Sequence, residues 1–209
     1  MKFKILFLFI LIFFSNNIIS QTNENINPKG KWFFGAEIGL NTITSLKPNH
    51  ENSIQGGILA EYYFAQHWSL SGRIKYFETG VSYNNDPAYR FYGSVISIPV
   101  NVNWEYRIMK NFSGNLKIGL ALNQEIKSDY YYPINAQTNY STLFVNFNPG
   151  FGFNYYLNKK TAIYMNYEVY ILGNDRVVKD GDIDFVPTST NNNLFNIGIK
   201  YNFGKENKK

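Results

Sequence analysis

The chain has 209 residues, a formal net charge of +5, two histidines and no cysteine. The lack of cysteine excludes disulfides, thiolate metal sites and a lipidated cysteine anchor, and two isolated histidines do not predict a zinc site. The charge is too small to indicate nucleic acid as a partner, whereas 18% aromatic residues with a mean hydropathy of -0.28 suit strands that have one apolar and one polar face.

The first twenty residues have the three parts of a signal peptide. Lys2 and Lys4 precede the apolar stretch ILFLFILIFF, and Ser20 is a small residue at a plausible cleavage point. Ten apolar residues are about half of what a membrane-spanning helix needs. We therefore expect a cleaved signal over 1–20, not an anchor. Its two lysines leave with it, so the mature chain keeps 18 of the 20 basic residues against 15 acidic ones.

Eight later segments alternate large apolar residues with polar or small ones, which is the period of a half-buried β-strand. In chain order they read KWFFGAEIGLN, SIQGGILAEYYF, WSLSGRIKY, SVISIPVNVNWEYR, NLKIGLALN, LFVNFNPGFGFN, IYMNYEV and NLFNIGIKYNFG. No apolar run in the rest of the chain is long enough for a membrane-spanning helix either. Any insertion into a membrane must therefore use these strands.

The connections between the segments alternate in length. Those after the second, fourth and sixth are short, namely AQ, IMKNFSG and LNKK, and the others are long and polar, namely ITSLKPNHENS, TGVSYNNDPAYRFYG, EIKSDYYYPINAQTNYS and LGNDRVVKDGDIDFVPTSTNN. Outer-membrane barrels have short periplasmic turns and longer outer loops. The pattern predicts an all-β, eight-stranded antiparallel up-and-down transmembrane β-barrel over 31–204, with a short periplasmic segment at 21–30 and a periplasmic tail at 205–209.

The polar side of the strands carries nearly balanced charges, four acidic and five basic. An eight-stranded barrel has an interior just wide enough for side chains to fill, so we expect the charges to pair inside and the apolar side to face lipid. The alternative is a soluble barrel whose polar face is solvated. The predicted interior network comprises Glu37, Glu61, Arg73, Lys75, Glu105, Arg107, Lys117, Glu168 and Lys200.

Aromatic residues gather at the strand ends next to the short turns. Aromatic girdles mark the membrane–water boundary in barrels of this kind. The predicted periplasmic-side girdle comprises Trp32, Phe34, Tyr62, Phe64, Trp68, Trp104, Tyr106, Phe153, Tyr155, Tyr201 and Phe203.

Four stretches, GILAEYYFAQHWSLSGRIKY, SVISIPVNVNWEYR, NPGFGFNYYLNKK and IGIKYNFG, resemble the outer-membrane β-barrel domain family of Bacteroidota. This family is often called PorT-like, and its fold is similar to the OmpA transmembrane barrel. The resemblance implies location in the outer membrane of a Gram-negative bacterium and no catalytic set. The last strand, ending in Tyr201 and Phe203, also resembles the signal read by the barrel-assembly machinery, although GKENKK follows it.

The leading functional hypothesis is a non-enzymatic barrel in contact with outer-membrane lipid, with a structural role or with a protein or glycan bound through its four outer loops. Exposed aromatic residues can form such contacts, although they can also pack a loop onto the rim. The candidate contact residues are Tyr83, Tyr89, Tyr130, Tyr131 and Tyr132. We expect no cofactor, metal or catalytic residue.

Other functions stay open at this point. A lipid-modifying enzyme would need a nucleophile beside a base, for which His50 with Ser45 or Ser53 and Glu51 is the nearest set. The PorT-like resemblance also suggests an accessory component of a protein-secretion machinery. A continuous pore is not expected through so narrow a lumen. The acidic cluster NDRVVKDGDID, which contains Asp175 and Asp182, lacks the spacing of a calcium loop.

Overall fold

The alternating segments form β-strands. A computed structural model of the protein describes residues 27–44, 51–82, 90–131, 143–171, 178–180, 183–185 and 191–204. The strands are β1 Trp32–Thr44, β2 Glu51–Tyr63, β3 Trp68–Ser82, β4 Arg90–Arg107, β5 Phe112–Tyr131, β6 Leu143–Phe147, β7 Gly150–Tyr156, β8 Thr161–Tyr170, β9 Val178–Asp180, β10 Ile183–Phe185 and β11 Asn191–Tyr201. Within these ranges no helix is long and apolar enough to cross a membrane.

The strands close into a barrel because the first and last of them pair. Each strand from β1 to β5 lies antiparallel to the next, β6 and β7 both pair with β5, and β8 connects β7 to β11. The β1–β11 pairing then closes the ring. Strands β6 and β7 are two parts of one interrupted strand. The barrel wall therefore consists of eight strands, as predicted, and we call each of them a stave, counting β6 and β7 as one. Strands β9 and β10 form a separate two-stranded hairpin.

The interruption between β6 and β7 is a difference from the single sixth strand that the sequence predicts. Pro149 lacks the N–H that a ladder hydrogen bond requires. The side chain of Asn101 on β4 reaches over β5 at Gly119 to Asn148, with its Nδ2 3.0 Å from the main-chain oxygen and 2.8 Å from Oδ1. The break is thus a defined feature, held by the strand on the other side of β5.

The two rims of the barrel differ. The short connections 64–67, 108–111 and 157–160 lie at one rim. At the other, β3, β4 and β5 continue well past the places where the sequence predicts loops, because pairing extends to Ser82 with Arg90 and to Arg90 with Tyr131. The result is an extension of three paired strands beyond the loop rim, which we call the outer extension, built from 78–82, 90–94 and 125–131.

The barrel wall has the reverse polarity of a soluble protein. On β1, Glu37 is 6% exposed and its neighbour Ile38 is 60% exposed. The same alternation runs along the other staves: large apolar residues point outward while charged residues and amides are buried. Such a surface is stable only in hydrocarbon, since exposed apolar area of this size is unfavourable in water. The apolar side is therefore the lipid-facing side.

Candidate functional site

Five charged residues form a cluster in the middle of the lumen, which we call the central cluster. Glu168 accepts hydrogen bonds from Arg73 Nη1 at 2.6 Å, Lys117 Nζ at 2.9 Å and Lys75 Nζ at 3.0 Å. Glu37 lies 2.8 Å from Lys75 Nζ and 3.6 Å from Arg73 Nε. All five side chains are buried, so each carboxylate replaces the water that its cationic partners lose.

Glycines on neighbouring strands make room for these long side chains. A Cβ placed on Gly57 would lie 3.0 Å from Lys75 Cγ, and one placed on Gly150 would lie 3.0 Å from Lys117 Cδ. The aliphatic part of each lysine side chain thus packs against glycine backbone, and its ammonium group reaches Glu168. Small residues beside large ones are how a narrow barrel interior fills without voids.

A second cluster lies nearer the short turns, centred on Glu105. Its carboxylate accepts hydrogen bonds from Tyr63 Oη at 2.6 Å, Ser113 Oγ at 2.8 Å, and both Asn154 Nδ2 and Tyr156 Oη at 2.9 Å. These four donors are neutral. Glu105 is therefore solvated by hydroxyl and amide groups, and not by an ion pair as the charge count had suggested.

Lys200 links this second cluster to Glu61. Its Nζ lies 2.7 Å from Glu61 Oε2 and 3.0 Å from Tyr63 Oη, and it also sits 5.6 Å from the centre of the Phe33 ring. The second cluster and the central cluster are separated by a cavity of about 10 Å³, lined in part by Asn115. A volume of this size holds about one water molecule.

Two layers of apolar residues lie in the lumen on either side of the charges. Phe33, Tyr63, Tyr156 and Ala162 form the layer at the short-turn end, and Phe77, Val95, Ala121, Tyr170 and Leu194 form the layer at the loop end. In the part of the barrel that the structure describes, buried side chains occupy the lumen near both ends and around the charges, with the cavity of about 10 Å³ between the two clusters. The interior is a packed core with ion pairs in its centre.

Eight of the nine residues predicted for the interior network are buried in the lumen. Arg107 is the exception. It is the last residue of β4, so its side chain is exposed at the short-turn rim, where Nη1 donates to the carbonyl of Lys110 at 3.3 Å. Conversely, Glu125 is 1% exposed, although the sequence predicts a loop at this position. It continues the buried alternation of Lys117 and Asn123, a signal that the sequence contains.

The predicted aromatic residues lie on the outside of the short-turn rim, partly or largely exposed. Ring centroids are 4.9 Å apart for Trp32 and Tyr62, 5.3 Å for Trp104 and Tyr106, and 4.9 Å for Tyr201 and Phe203. Phe112, which sequence reasoning missed, stacks on Phe153 at 5.4 Å. Rings thus lie side by side at this rim both along one strand, as for Trp104 and Tyr106, and between neighbouring strands, as for Trp32 and Tyr62.

The candidate loop residues are only partly covered by the structure. Tyr83, Tyr89 and Tyr132 lie outside the described residues. Tyr130 and Tyr131 belong to β5, where their backbones pair with those of Phe91 and Arg90.

Most of the candidate catalytic and metal residues fall outside the part of the chain that the structure describes. Ser45, His50, Asp175 and Asp182 lie outside the described residues, and the Ser53 hydroxyl donates to the carbonyl of Glu78. The described part of the chain contains no group of three or more His, Cys, Asp or Glu residues that could hold a metal ion.

A closed antiparallel barrel with lipid-facing apolar residues and a charged, packed lumen is the architecture of a small outer-membrane β-barrel protein. The chain belongs to the outer membrane protein beta-barrel domain family, which matches residues 18–203. It is accordingly a β-barrel protein of the outer membrane of Gram-negative bacteria, in contact with its lipid. A comparison with curated proteins found no match.

Solved structures with the same fold include three outer-membrane proteins. Neisserial surface protein A aligns with a TM-score of 0.57 at 11% identity, over 82% of this chain and 97% of the other. OprG from Pseudomonas aeruginosa gives 0.55 at 13%, over 87% and 100%. Ail of Yersinia pestis, solved with the heparin analogue sucrose octasulfate, gives 0.54 at 14%, over 84% and 99%. At these identities the similarity shows the fold alone.

Proposed function

We propose that this protein is a non-enzymatic surface protein that binds a glycan or a protein through its outer extension. The observation that carries the proposal is the asymmetry of the barrel: the short-turn rim ends in tight connections, while β3, β4 and β5 continue as paired strands beyond the other rim. In outer-membrane barrels the rim with longer connections faces outside. A filled lumen leaves this extension as the principal surface for recognition.

The backbone register of the outer extension brings together residue types that are common in binding surfaces. Phe91 pairs with Val81 on one side and with Tyr130 on the other, and Arg90 likewise lies between Ser82 and Tyr131. Tyrosine and arginine are enriched at recognition sites because each offers a large planar surface with polar edges. Paired strands hold such residues at fixed spacing, which reduces the ordering cost of binding.

The first probes should be glycans, because Ail, which shares the fold, was solved with a heparin analogue. The purified barrel in lipid nanodiscs is tested for binding to heparin, sialylated and neutral glycans, and extracellular-matrix proteins. We expect Tyr130→Ser with Tyr131→Ser to weaken the binding at least about tenfold, which corresponds to about 1.4 kcal/mol. Met109→Ser, in the short turn 108–111, is the matched control at the opposite rim. Binding to none of these classes, or equal binding by both variants, would contradict the proposal.

The absence of an enzymatic role is part of the same proposal. Ser53, the one candidate nucleophile that is described, is occupied by the main chain of Glu78. Lipid A from cells with and without the protein should therefore have the same acylation pattern. A change in that pattern that depends on His50 would favour the enzyme instead.

We assign the biogenesis of the protein to the ordinary export route. The signal peptide is cleaved near Ser20, and the last strand is read by the barrel-assembly machinery, as for a PorT-like protein of Bacteroidota. The intact mass of the protein isolated from outer membranes checks the cleavage. Co-purification from native membranes checks the competing role, because a constant secretion partner would move the protein into that machinery.

A further inference from the structure

The seam between β1 and β11 has a regular pattern of side-chain size on its lumen side. These are the first and last staves, and their pairing closes the barrel. Each of three consecutive lumen-facing pairs consists of one glycine and one longer polar residue, and the glycine changes strand from pair to pair. The pairs are Gly35 with Lys200, Glu37 with Gly198, and Gly39 with Asn196.

The glycines at this seam are required by close approach of the two backbones. A Cβ on Gly198 would lie 2.6 Å from the carbonyl oxygen of Ala36. A Cβ on Gly35 or Gly39 would collide with the carbonyl oxygens of Ile199 and Phe195, respectively. By contrast, a Cβ on the lipid-facing Gly72 would meet no atom within 4 Å. The seam glycines share this steric role with other lumen-facing glycines, since a Cβ on Gly119 would collide with the carbonyl oxygen of Val100. At the seam, the role falls on the two strands that close the barrel.

A slip of two residues would keep every side chain on its proper face, so alternation alone does not prevent it. In one direction the slip would set Glu37 opposite Lys200 and Gly39 opposite Gly198. In the other it would set Gly35 opposite Gly198 and Glu37 opposite Asn196. Either slip pairs two long residues in a lumen that has little spare room and pairs two glycines beside them, which leaves a void.

Charge attraction and side-chain size favour different registers at this seam. The first slip would bring the opposite charges of Glu37 and Lys200 face to face, which would be attractive. In the observed register each of them faces a glycine, and their ionic partners lie on other strands: Lys75 on β3 for Glu37, and Glu61 on β2 for Lys200. The observed register is the one that size complementarity selects.

We infer that the alternation of glycine and long polar residues across β1 and β11 sets the register in which the barrel closes. The two terminal strands recognise each other by size, and the charges of the seam are satisfied afterwards by neighbouring strands. Each terminal strand is thus the partner that the other strand recognises, and the three lumen-facing pairs determine the register between them.

Cysteine cross-linking reads the register directly, since the chain has no cysteine of its own. Ala36→Cys with Ile199→Cys reports the observed register, because these lipid-facing residues are direct partners and partners of this kind come close enough for a disulfide. Ala36→Cys with Tyr201→Cys reports the slip that would place Glu37 opposite Lys200. Each reporter pair is introduced into the otherwise unaltered protein and into four variants, then assembled in outer membranes and oxidised.

The four variants separate size from charge. Glu37→Gln and Lys200→Met keep the length of the side chain and lose its charge, so we expect them to cross-link in the observed register as the unaltered protein does. Glu37→Gly and Lys200→Gly also remove the length, so the slipped cross-link should rise from background to at least about a tenth of the barrels, a ratio equivalent to about 1.4 kcal/mol.

Folding is followed in parallel by the shift of the barrel in unheated gels. Recognition by size is also supported if the two length-preserving variants assemble and neither glycine variant does. The inference is overturned if Glu37→Gln or Lys200→Met slips as much as its glycine counterpart, if no variant slips, or if all four fail to assemble. Binding of a glycan plays no part in this assay, so its outcome is independent of the proposed function.

Discussion

Glu168 is the residue on which most of the buried charge depends. It is fully buried, and three cations lie within 3.0 Å of its carboxylate oxygens. Burying four charges is costly, and the cost is offset only while each charge keeps its partner. Loss of this one carboxylate would leave Arg73, Lys75 and Lys117 with Glu37 as the remaining acid of the central cluster.

Glu168→Ala should therefore lower the free energy of unfolding by about 3–5 kcal/mol, the usual cost of removing one partner of a buried ion pair. Glu78→Ala is the matched control, because the Glu78 side chain is exposed and its loss should change stability by no more than about 0.5 kcal/mol. Urea unfolding in lipid vesicles measures both. Equal stability of the two variants would contradict the role of the central cluster.

Glu105 poses a different case, because its donors are neutral. Tyr156→Phe removes one hydroxyl that donates to Glu105 at 2.9 Å and keeps the buried ring. We expect a loss of about 1–3 kcal/mol, since a buried carboxylate oxygen loses a hydrogen bond. Tyr62→Phe, on the lipid side of the same rim, should be nearly neutral. A loss no larger in Tyr156→Phe than in Tyr62→Phe would show that Glu105 does not depend on these hydroxyls.

At this scale the sequence predicted most of the lumen but not its pairing. Alternation places Glu61 and Lys200 on the same face, yet it does not say that Lys200 meets Glu61 while Glu105 meets tyrosines. Those contacts depend on the stagger of the staves around the barrel, which single-strand patterns do not contain. Arg107 and Glu125 differ from the prediction for simpler reasons. Arg107 is the last residue of β4 and lies at the rim instead of in the lumen, and Glu125 lies beyond the predicted end of β5, which continues to Tyr131.

At the scale of the strands, each stave has one lipid face and one lumen face, and its ends determine what each residue meets. Alternation predicted the faces because its period is that of the pleat. It did not predict the outer extension, because polar residues along 79–82 and 125–131 read as loop when no partner strand is known. Pro149 could have indicated the interruption between β6 and β7. The alternation of apolar and polar residues continues on both sides of it, however, so the sequence predicts a single strand.

Charged substitutions on the lipid face of one strand should show a dependence on depth. Ile118→Lys, near the middle of the outward face of β5, should cost about 2–4 kcal/mol, whereas Gln124→Lys, nearer the loop rim, should cost about 0–1 kcal/mol. Ile118 is 56% exposed on that face. Unfolding titrations in vesicles compare the two. Equal costs would mean that the apolar band does not lie where the strand places it.

At the scale of the whole molecule, the barrel is a closed wall around a filled core. Apolar layers lie near both ends of the lumen, and the cavity between the charged clusters measures about 10 Å³. The eight-stave topology followed from the sequence because turn lengths alternate and neighbouring strands pair in order. The ligand of the proposed binding function did not follow from it, because the sequence gives no geometry for the candidate loop residues.

A filled lumen predicts that the protein does not form a stable open channel. In planar bilayers we expect no large, steady conductance steps, because ions would have to displace the central cluster and both apolar layers. Recordings from a porin prepared in the same way provide the positive control. Large steps that persist in the purified barrel would contradict the packed interior.

The central claim is the reversed polarity of the wall, and labelling of the unaltered protein from within the bilayer tests it most directly. An apolar photoreactive carbene precursor is dissolved in the lipid, and the labelled residues of β11 are identified by mass spectrometry. We predict label on Phe195, Ile197 and Ile199, and none on Asn196, Gly198 and Lys200. Label on the second set with the first set spared would contradict the account.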